Sequence, residues 1–267
     1  MKKELHWIYG MALFLAMGIV FLALFAPWIA PYDPTAVSTE EILEGMSSSH
    51  WLGTDALGRD ILSRTIYGAR TSVAFAFVAA FCTMVLGLML GILSGYFGGW
   101  VDRGIQCLVA VFQGLPGMSL MIAVAAILPE NNFRLIIALT LTSWAGFSRI
   151  VRSEVIRIRG ELYMESIQSL GASHGYIVRK YVLPNVLPVV IVLLTLRIGT
   201  SLLSASALSY LGLGVSPPTA DWGVMISDAR TYFRSYPLMM IAPGTGITLF
   251  CLSINLLGDA MRERIRK

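Results

Sequence analysis

Long apolar blocks separated by short polar segments are the dominant pattern along this chain. Each block holds roughly 20 residues, about the length that a helix rising 1.5 Å per residue needs to cross ~30 Å of hydrocarbon. Most blocks lack the polar face that helices around a soluble core present to water. The pattern therefore predicts an all-α, polytopic membrane protein with about six transmembrane helices. The predicted spans lie near residues 8–30, 73–95, 104–128, 133–151, 185–208 and 237–258.

Local residues refine the first, third and fourth spans. Lys2 and Lys3 precede the first block as in a signal peptide, but residues 8–30 exceed the usual apolar length of a signal, so we interpret the block as a span. Pro116 and Gly117 interrupt the third span, which predicts a kink because proline removes a helical hydrogen bond. Only residues 129–132 separate the third and fourth spans, which predicts a tight turn.

Composition and charge agree with a membrane protein. Of 267 residues, 56% are hydrophobic and 13% charged, too little charge to cover a soluble domain of this size. The net charge of +4 does not indicate nucleic-acid binding, because the basic residues lie beside the apolar blocks rather than in a stripe with aromatics. With the N-terminus inside, inner segments carry 13 Lys and Arg residues against 6 in outer segments. This bias predicts that both termini are cytoplasmic.

Three polar segments between spans are long enough to carry a function. Two of them, 31–72 and 209–236, are predicted on the outer side, and 152–184 on the cytoplasmic side. We expect the chain to divide into a first helix with its outer loop, residues 1–72, and a five-helix core, residues 73–267. The inner segment is where a cytoplasmic partner is expected.

A stripe of glycines spaced every four residues runs along the second span. Such a stripe lets a neighbouring helix approach closely where lipid removes the hydrophobic driving force. We assign Gly87, Gly91 and Gly95 to helix packing, with Gly99 continuing the spacing. The alternative is the ordinary tolerance of membrane helices for glycine.

Arg197 is a charge inside the fifth span, where it is energetically expensive. It should face the bundle interior or a wet cavity, either as part of a translocation path or as a structural partner for a carbonyl or for Asp259. Methionines in the third span more often pack than bind a soft metal. The candidate path-lining residues are Arg197, Ser201, Ser204, Met118 and Met121.

Motifs for chemistry within this chain are missing. The sequence has no Gly-x4-Gly-Lys-[Ser/Thr] phosphate loop, no HExxH and no Gly-x-Ser-x-Gly. The three histidines and three cysteines lie in separate segments, without metal-ligand spacing. We therefore predict no catalytic residue, no metal site and no cofactor in this chain, which argues against an intramembrane enzyme and leaves a transport subunit or a membrane scaffold.

The inner segment carries a recognisable motif. Glu165 is followed by Gly171 and then, after nine residues, by Tyr181-x-Leu183-Pro184. This resembles the EAA loop of binding-protein-dependent ABC importers, although serine and isoleucine replace its alanines and a tyrosine replaces its first isoleucine. The resemblance implies a coupling helix that docks in a groove of an ATPase subunit. The residues assigned to this coupling are Glu161, Glu165, Gly171, Ala172 and Ser173.

Three further segments extend the resemblance over nearly the whole chain. Residues 50–64 are similar to the HxLGTDxxGRDxxSR segment of the dipeptide/oligopeptide/nickel permeases. Residues 210–223 and 255–262 are similar to the segment after the fifth span and to the C-terminal end of these proteins. The four motifs occur in the expected order, so the chain resembles the C-type permease of this family.

The resemblance implies an assembly and a mechanism. The fold is expected to be that of a type I ABC importer permease, in the bacterial inner membrane and surrounded by lipid. The expected partners are a second permease, two ATP-binding subunits and a periplasmic or lipid-anchored substrate-binding protein, with no nucleic acid. ATP and Mg²⁺ are then expected in the partner ATPase subunits, and transport by alternating access.

One segment, residues 221–230, indicates which substrate to expect. Residues 221–230 are most similar to nickel-type members, which favours nickel, as a chelate. Peptide members have similar segments, so a dipeptide or oligopeptide importer is the alternative.

Overall fold

The chain forms a bundle of long helices in a computed structural model that describes residues 2–131 and 133–265. Within these described residues, five helices are long and apolar enough to cross a membrane, and a bent pair, α4 and α5, makes a sixth span if it is counted as one. The prediction of an all-α protein with about six spans is therefore confirmed. The helices are α1 (Lys2–Leu24), α2 (Ala26–Ile29), α3 (Ile61–Phe97), α4 (Gly99–Gly114), α5 (Gly117–Ile127), α6 (Phe133–Arg159), α7 (Leu162–Ser169), α8 (His174–Ile177), α9 (Leu183–Tyr210), α10 (Trp222–Ala229) and α11 (Leu238–Ile265).

Some sequence predictions fall outside the described part of the chain. Asn132, in the predicted turn before the fourth span, is one such residue. Among the predicted inner charges, Arg266 and Lys267 also lie outside it, as do the side chains of Lys2, Lys3 and Arg264.

Helix α3 begins well before the predicted second span. It starts at Ile61 rather than at residue 73, because Asp60 caps it and accepts a hydrogen bond from the Ser63 backbone N–H at 2.7 Å. The predicted outer loop 31–72 was therefore too long. With 37 residues, α3 is about 55 Å long, well beyond the ~30 Å of a hydrocarbon core. The division of the chain at residue 72 stays a prediction, and α3 crosses that position without a break.

The third predicted span is broken more sharply than a kink. Helices α4 and α5 meet at an angle of 95°. Leu115 is extended at φ −90° and ψ 144°, as expected for a residue whose helical conformation clashes with the following proline ring. The interruption predicted at Pro116 is thus confirmed.

The glycine stripe of α3 lies directly against α6. A Cβ atom on Gly87 would meet Phe147 Cβ at 2.9 Å, and one on Gly91 would meet Val151 Cβ at 2.6 Å. A Cβ on Gly95 would lie 2.8 Å from Val155 Cβ, whereas one on Gly99 would meet nothing within 4 Å. The two helices therefore touch through backbone over two turns, as the spacing of small residues predicts.

Candidate functional site

The connection between α6 and α9, residues 160–182, is a compact unit rather than a free loop. Met164 of α7 and Ile177 of α8 are fully buried. They share an apolar cluster with Val155 and Ile158 of α6 and with Val182. Because both of its short helices insert a side chain into this cluster, the connection is fixed to the end of the bundle.

Gly171 ends α7 in a conformation that suits glycine. Its φ is +79°, in the left-handed region that other residues enter only with strain. The Gly171 N–H donates to Gln168 O at 3.0 Å and the Ala172 N–H donates to Ile167 O at 3.4 Å, which is the Schellman pattern. The motif glycine six residues after Glu165 is therefore the residue that lets the chain leave the helix.

The solvent-exposed side of α7 carries apolar side chains. Leu162 and Leu170 are 82% and 87% exposed, and Glu165 is exposed between them. Glu161 pairs with Arg157 of α6 at 3.3 Å, and Ser173 caps α8 by accepting from the Tyr176 N–H at 3.4 Å. The residues assigned to coupling thus lie together on the α6–α9 connection, whose exposed leucines are typical of a surface that a partner covers.

The connection enters α9 through a single π-helical turn, Val178–Val182. The Leu183 N–H donates to Val178 O five residues earlier. Pro184 has no N–H to give to Lys180 O, so the motif proline removes the α-helical hydrogen bond at this point. Such turns are rare and are often found at functional sites.

The opposite end of the bundle carries a second organised region, in the loop between α2 and α3. His50 is buried, with its Nδ1 2.9 Å from Asp60 Oδ1 and its ring against Tyr32. Burial opposes charge on His50, but the hydrogen bond and charge of Asp60, with Glu41, outweigh it and raise the pKa of the imidazole. Asp60 therefore both caps α3 and fixes the loop.

Asp55 is the centre of a buried ionic cluster in the same loop. Its Oδ2 accepts from Arg59 Nε at 2.7 Å and lies 3.4 Å from Arg64 Nε. Arg64 also donates to Pro34 O at 2.9 Å, and Arg59 reaches Asp228 of α10 at 3.6 Å. Burial raises the pKa of Asp228, although Arg59 and Arg64 oppose this shift. The cluster therefore ties the loop to α3 and α10.

Helix α10 is wedged between three long helices. Asp221 caps it by accepting from the Gly223 N–H at 3.0 Å, and also accepts from Ser72 Oγ of α3 at 2.7 Å. Trp222 is 2% exposed, and its Nε1 donates to Thr65 O at 2.9 Å. Cβ atoms added to Gly68 of α3 or Gly246 of α11 would lie within 2.8 Å of its ring. The indole therefore fills the space between α3 and α11.

These residues lie within the sequence motifs, but the motifs alone did not predict a role for them. Asp55, Arg64 and Trp222 were visible as charged and aromatic positions next to glycine-rich apolar spans. Their partners are distant in sequence, up to 157 residues for Trp222 and Thr65. No local pattern identifies such pairs.

Comparison with known families decides the class of this protein. Residues 87–267 match the sequence model of the family described as the binding-protein-dependent transport system inner membrane component. The chain belongs to this family. It is a permease subunit of a binding-protein-dependent ABC importer, and such membrane components are not themselves enzymes.

Two relatives match this permease over nearly its full length. It is 40% identical over 264 residues to the glutathione transport system permease protein GsiD of Escherichia coli O6:K15:H31 (strain 536 / UPEC), which covers 98% of this chain and 87% of that protein. It is 36% identical over 265 residues to the dipeptide transport system permease protein DppC of Alkalihalophilus pseudofirmus, covering 99% and 86%.

Two solved structures share the permease's fold. An inward-facing methionine ABC transporter, MetNI, superposes with a TM-score of 0.61 at 18% identity, covering 78% of this chain and 98% of that one. An amino acid ABC transporter with histidines gives a TM-score of 0.58 at 16% identity, covering 76% and 94%. The type I ABC importer permease fold that the resemblance implied is therefore confirmed.

The candidate path-lining residues of the permease differ in exposure. Arg197 is half-buried, and within the described ranges its guanidinium has neither a hydrogen bond nor an ion pair, including with Asp259. Ser204 is half-buried and Met118 reaches the surface. Ser201 and Met121 are buried, so these two do not line an open surface of this chain. The role of all five in a path stays a prediction.

Proposed function

We propose that this permease forms half of the translocation path for small peptides, a class that includes glutathione and dipeptides. Its support is the 40% and 36% identity to permeases named for glutathione and dipeptide transport, over at least 98% of the chain. The same relatives give no support to the nickel substrate expected from residues 221–230. Residues 221–230 are similar in peptide and nickel members, so this segment does not separate the two substrates.

The lone charge in α9 fits the same substrate class. Arg197 is half-buried and unpaired among the described residues. A guanidinium in a low-dielectric path attracts a carboxylate and repels a divalent cation. Every free peptide has a terminal carboxylate, whereas Ni²⁺ would need a chelator with excess negative charge to pass this position.

The α6–α9 connection is proposed to receive force from an ATPase subunit. It lies at the end of the bundle, is anchored by Met164 and Ile177, and exposes Leu162 and Leu170. The complete transporter would add a second permease, two ATP-binding subunits that hold ATP and Mg²⁺, and a substrate-binding protein. The connection then lies in the cytoplasm, as do both termini of this inner-membrane chain.

Uptake by cells tests the substrate. In a strain that lacks only the gene for this chain, restoring the gene is expected to restore uptake of labelled glutathione or labelled alanyl-alanine, and to leave Ni²⁺ uptake unchanged. Empty vector is the control. An Arg197→Met variant is expected to lower peptide uptake because it removes the cation. Restoration of Ni²⁺ uptake alone would overturn the peptide proposal and keep the permease assignment.

A further inference from the structure

We infer that Tyr96 and His174 are positioning residues that join the α6–α9 connection to α3, so that movement of the connection reaches the far end of the permease through α3. The inference rests on the proposed function, because it needs the connection to be the part that an ATPase subunit moves.

The contact between the two side chains is direct. Tyr96 Oη and His174 Nδ1 are 3.0 Å apart, a hydrogen bond in which either atom can donate depending on the histidine tautomer. The imidazole also packs edge-on against Tyr96 and Phe97, with ring centroids 5.7 and 5.9 Å away. His174 is the first residue of α8, and Tyr96 is the next-to-last residue of α3.

Tyr96 contacts the connection through apolar packing as well as through the hydrogen bond. The residue is only 4% exposed, although it lies at a helix end. It belongs to the same apolar cluster as Met164 of α7 and Ile177 of α8. One tyrosine thus contributes packing to the cluster and a hydrogen bond to its edge.

Helix α3 then provides a continuous path to the opposite end. It runs from Ile61 to Phe97 as one helix, without an internal proline. At its other end Ser72 donates to Asp221 Oδ2 at 2.7 Å and Thr65 O accepts from Trp222 Nε1 at 2.9 Å, so α10 is fixed to it. In contrast, the route through α9 begins with the π-helical turn and contains Pro188. Of the two routes, α3 is the one that contains neither a π-helical turn nor a proline.

The test uses the complete transporter in proteoliposomes, with labelled glutathione and labelled alanyl-alanine as probes. Tyr96→Phe keeps the ring and removes the hydrogen bond. We expect substrate imported per ATP hydrolysed to fall by about three- to tenfold, the scale of one net hydrogen bond, while the melting temperature of the permease falls by only a few degrees. His174→Ala should show the same loss, and His174→Asn, which keeps a polar atom near the Nδ1 position, should recover part of it.

Tyr67→Phe is the matched control on the same helix, because the Tyr67 hydroxyl has no hydrogen bond to any described residue. Equal import per ATP in the Tyr96→Phe and Tyr67→Phe transporters would overturn the inference. If the unaltered transporter imports neither probe, the proposed substrate class fails. The contact is then judged by ATP hydrolysis stimulated by the binding protein, which Tyr96→Phe should lower and Tyr67→Phe should not.

Discussion

Trp222→Ala is expected to lower the free energy of unfolding of the permease by about 3–5 kcal/mol, the range for removing a large buried aromatic side chain. The indole is 2% exposed and fills the space between Gly68 and Gly246. Those glycines cannot move inward without shifting α3 and α11, so the cavity should persist. The Thr65 carbonyl also loses the donor that lies 2.9 Å away.

The loss can be measured by thermal unfolding of the purified transporter in detergent. Trp51→Ala is the control, because Trp51 lies in the α2–α3 loop and is 70% exposed. We expect the control to melt with the unaltered protein and Trp222→Ala to melt well below it. Coincident melting of both variants would show that α10 does not hold α3 and α11 together.

Asp55→Asn is expected to destabilise the α2–α3 loop by about 3–5 kcal/mol, the scale for removing one partner of a buried ion pair. The substitution keeps the shape of the side chain but leaves Arg59 and Arg64 without the carboxylate at 2.7 and 3.4 Å. Both arginines are buried, so water cannot replace it easily. Asp228 lies 3.6 Å from Arg59, so it can replace the lost carboxylate for Arg59 but is not a close partner of Arg64.

Limited proteolysis of the loop, together with thermal unfolding, measures this effect. Glu40→Gln is the control, since Glu40 is an exposed acid of the same loop. Cleavage within residues 31–60 should become faster in Asp55→Asn and stay unchanged in Glu40→Gln. Equal cleavage rates would mean that the ionic cluster does not stabilise the loop.

The sequence predicted the number of spans because apolar block length follows directly from membrane thickness. It misplaced the start of α3 because Arg64 and Arg70 interrupt the apolar run there. The cost of burying Arg64 is offset by Asp55, a tertiary contact within the folded loop. A hydropathy pattern shows the charge of Arg64 but not its partner Asp55. The first three turns of α3 were therefore assigned to a loop.

The candidate site was predictable where a local rule governs it. Gly171 followed from the resemblance to the EAA loop, in which a glycine stands six residues after the glutamate, and its φ of +79° gives the physical reason. The contact between Tyr96 and His174 joins positions 78 residues apart and leaves no local signal. His174 was placed at the end of the predicted coupling segment and was also considered as a metal ligand, but sequence alone could not show that Tyr96 lies beside it.

The most direct test of coupling through the α6–α9 connection compares Gly171→Val with Gly175→Val in the reconstituted transporter. A Cβ atom would meet nothing within 4 Å at either position, but only Gly171 has a positive φ. Valine at Gly171 should therefore distort the end of α7, whereas valine at Gly175 should not. The quantities to be measured are ATP hydrolysis stimulated by the binding protein and uptake of labelled peptide. We expect Gly171→Val to lose both and Gly175→Val to keep both. Full stimulation and uptake in Gly171→Val would contradict the role of the α6–α9 connection in coupling.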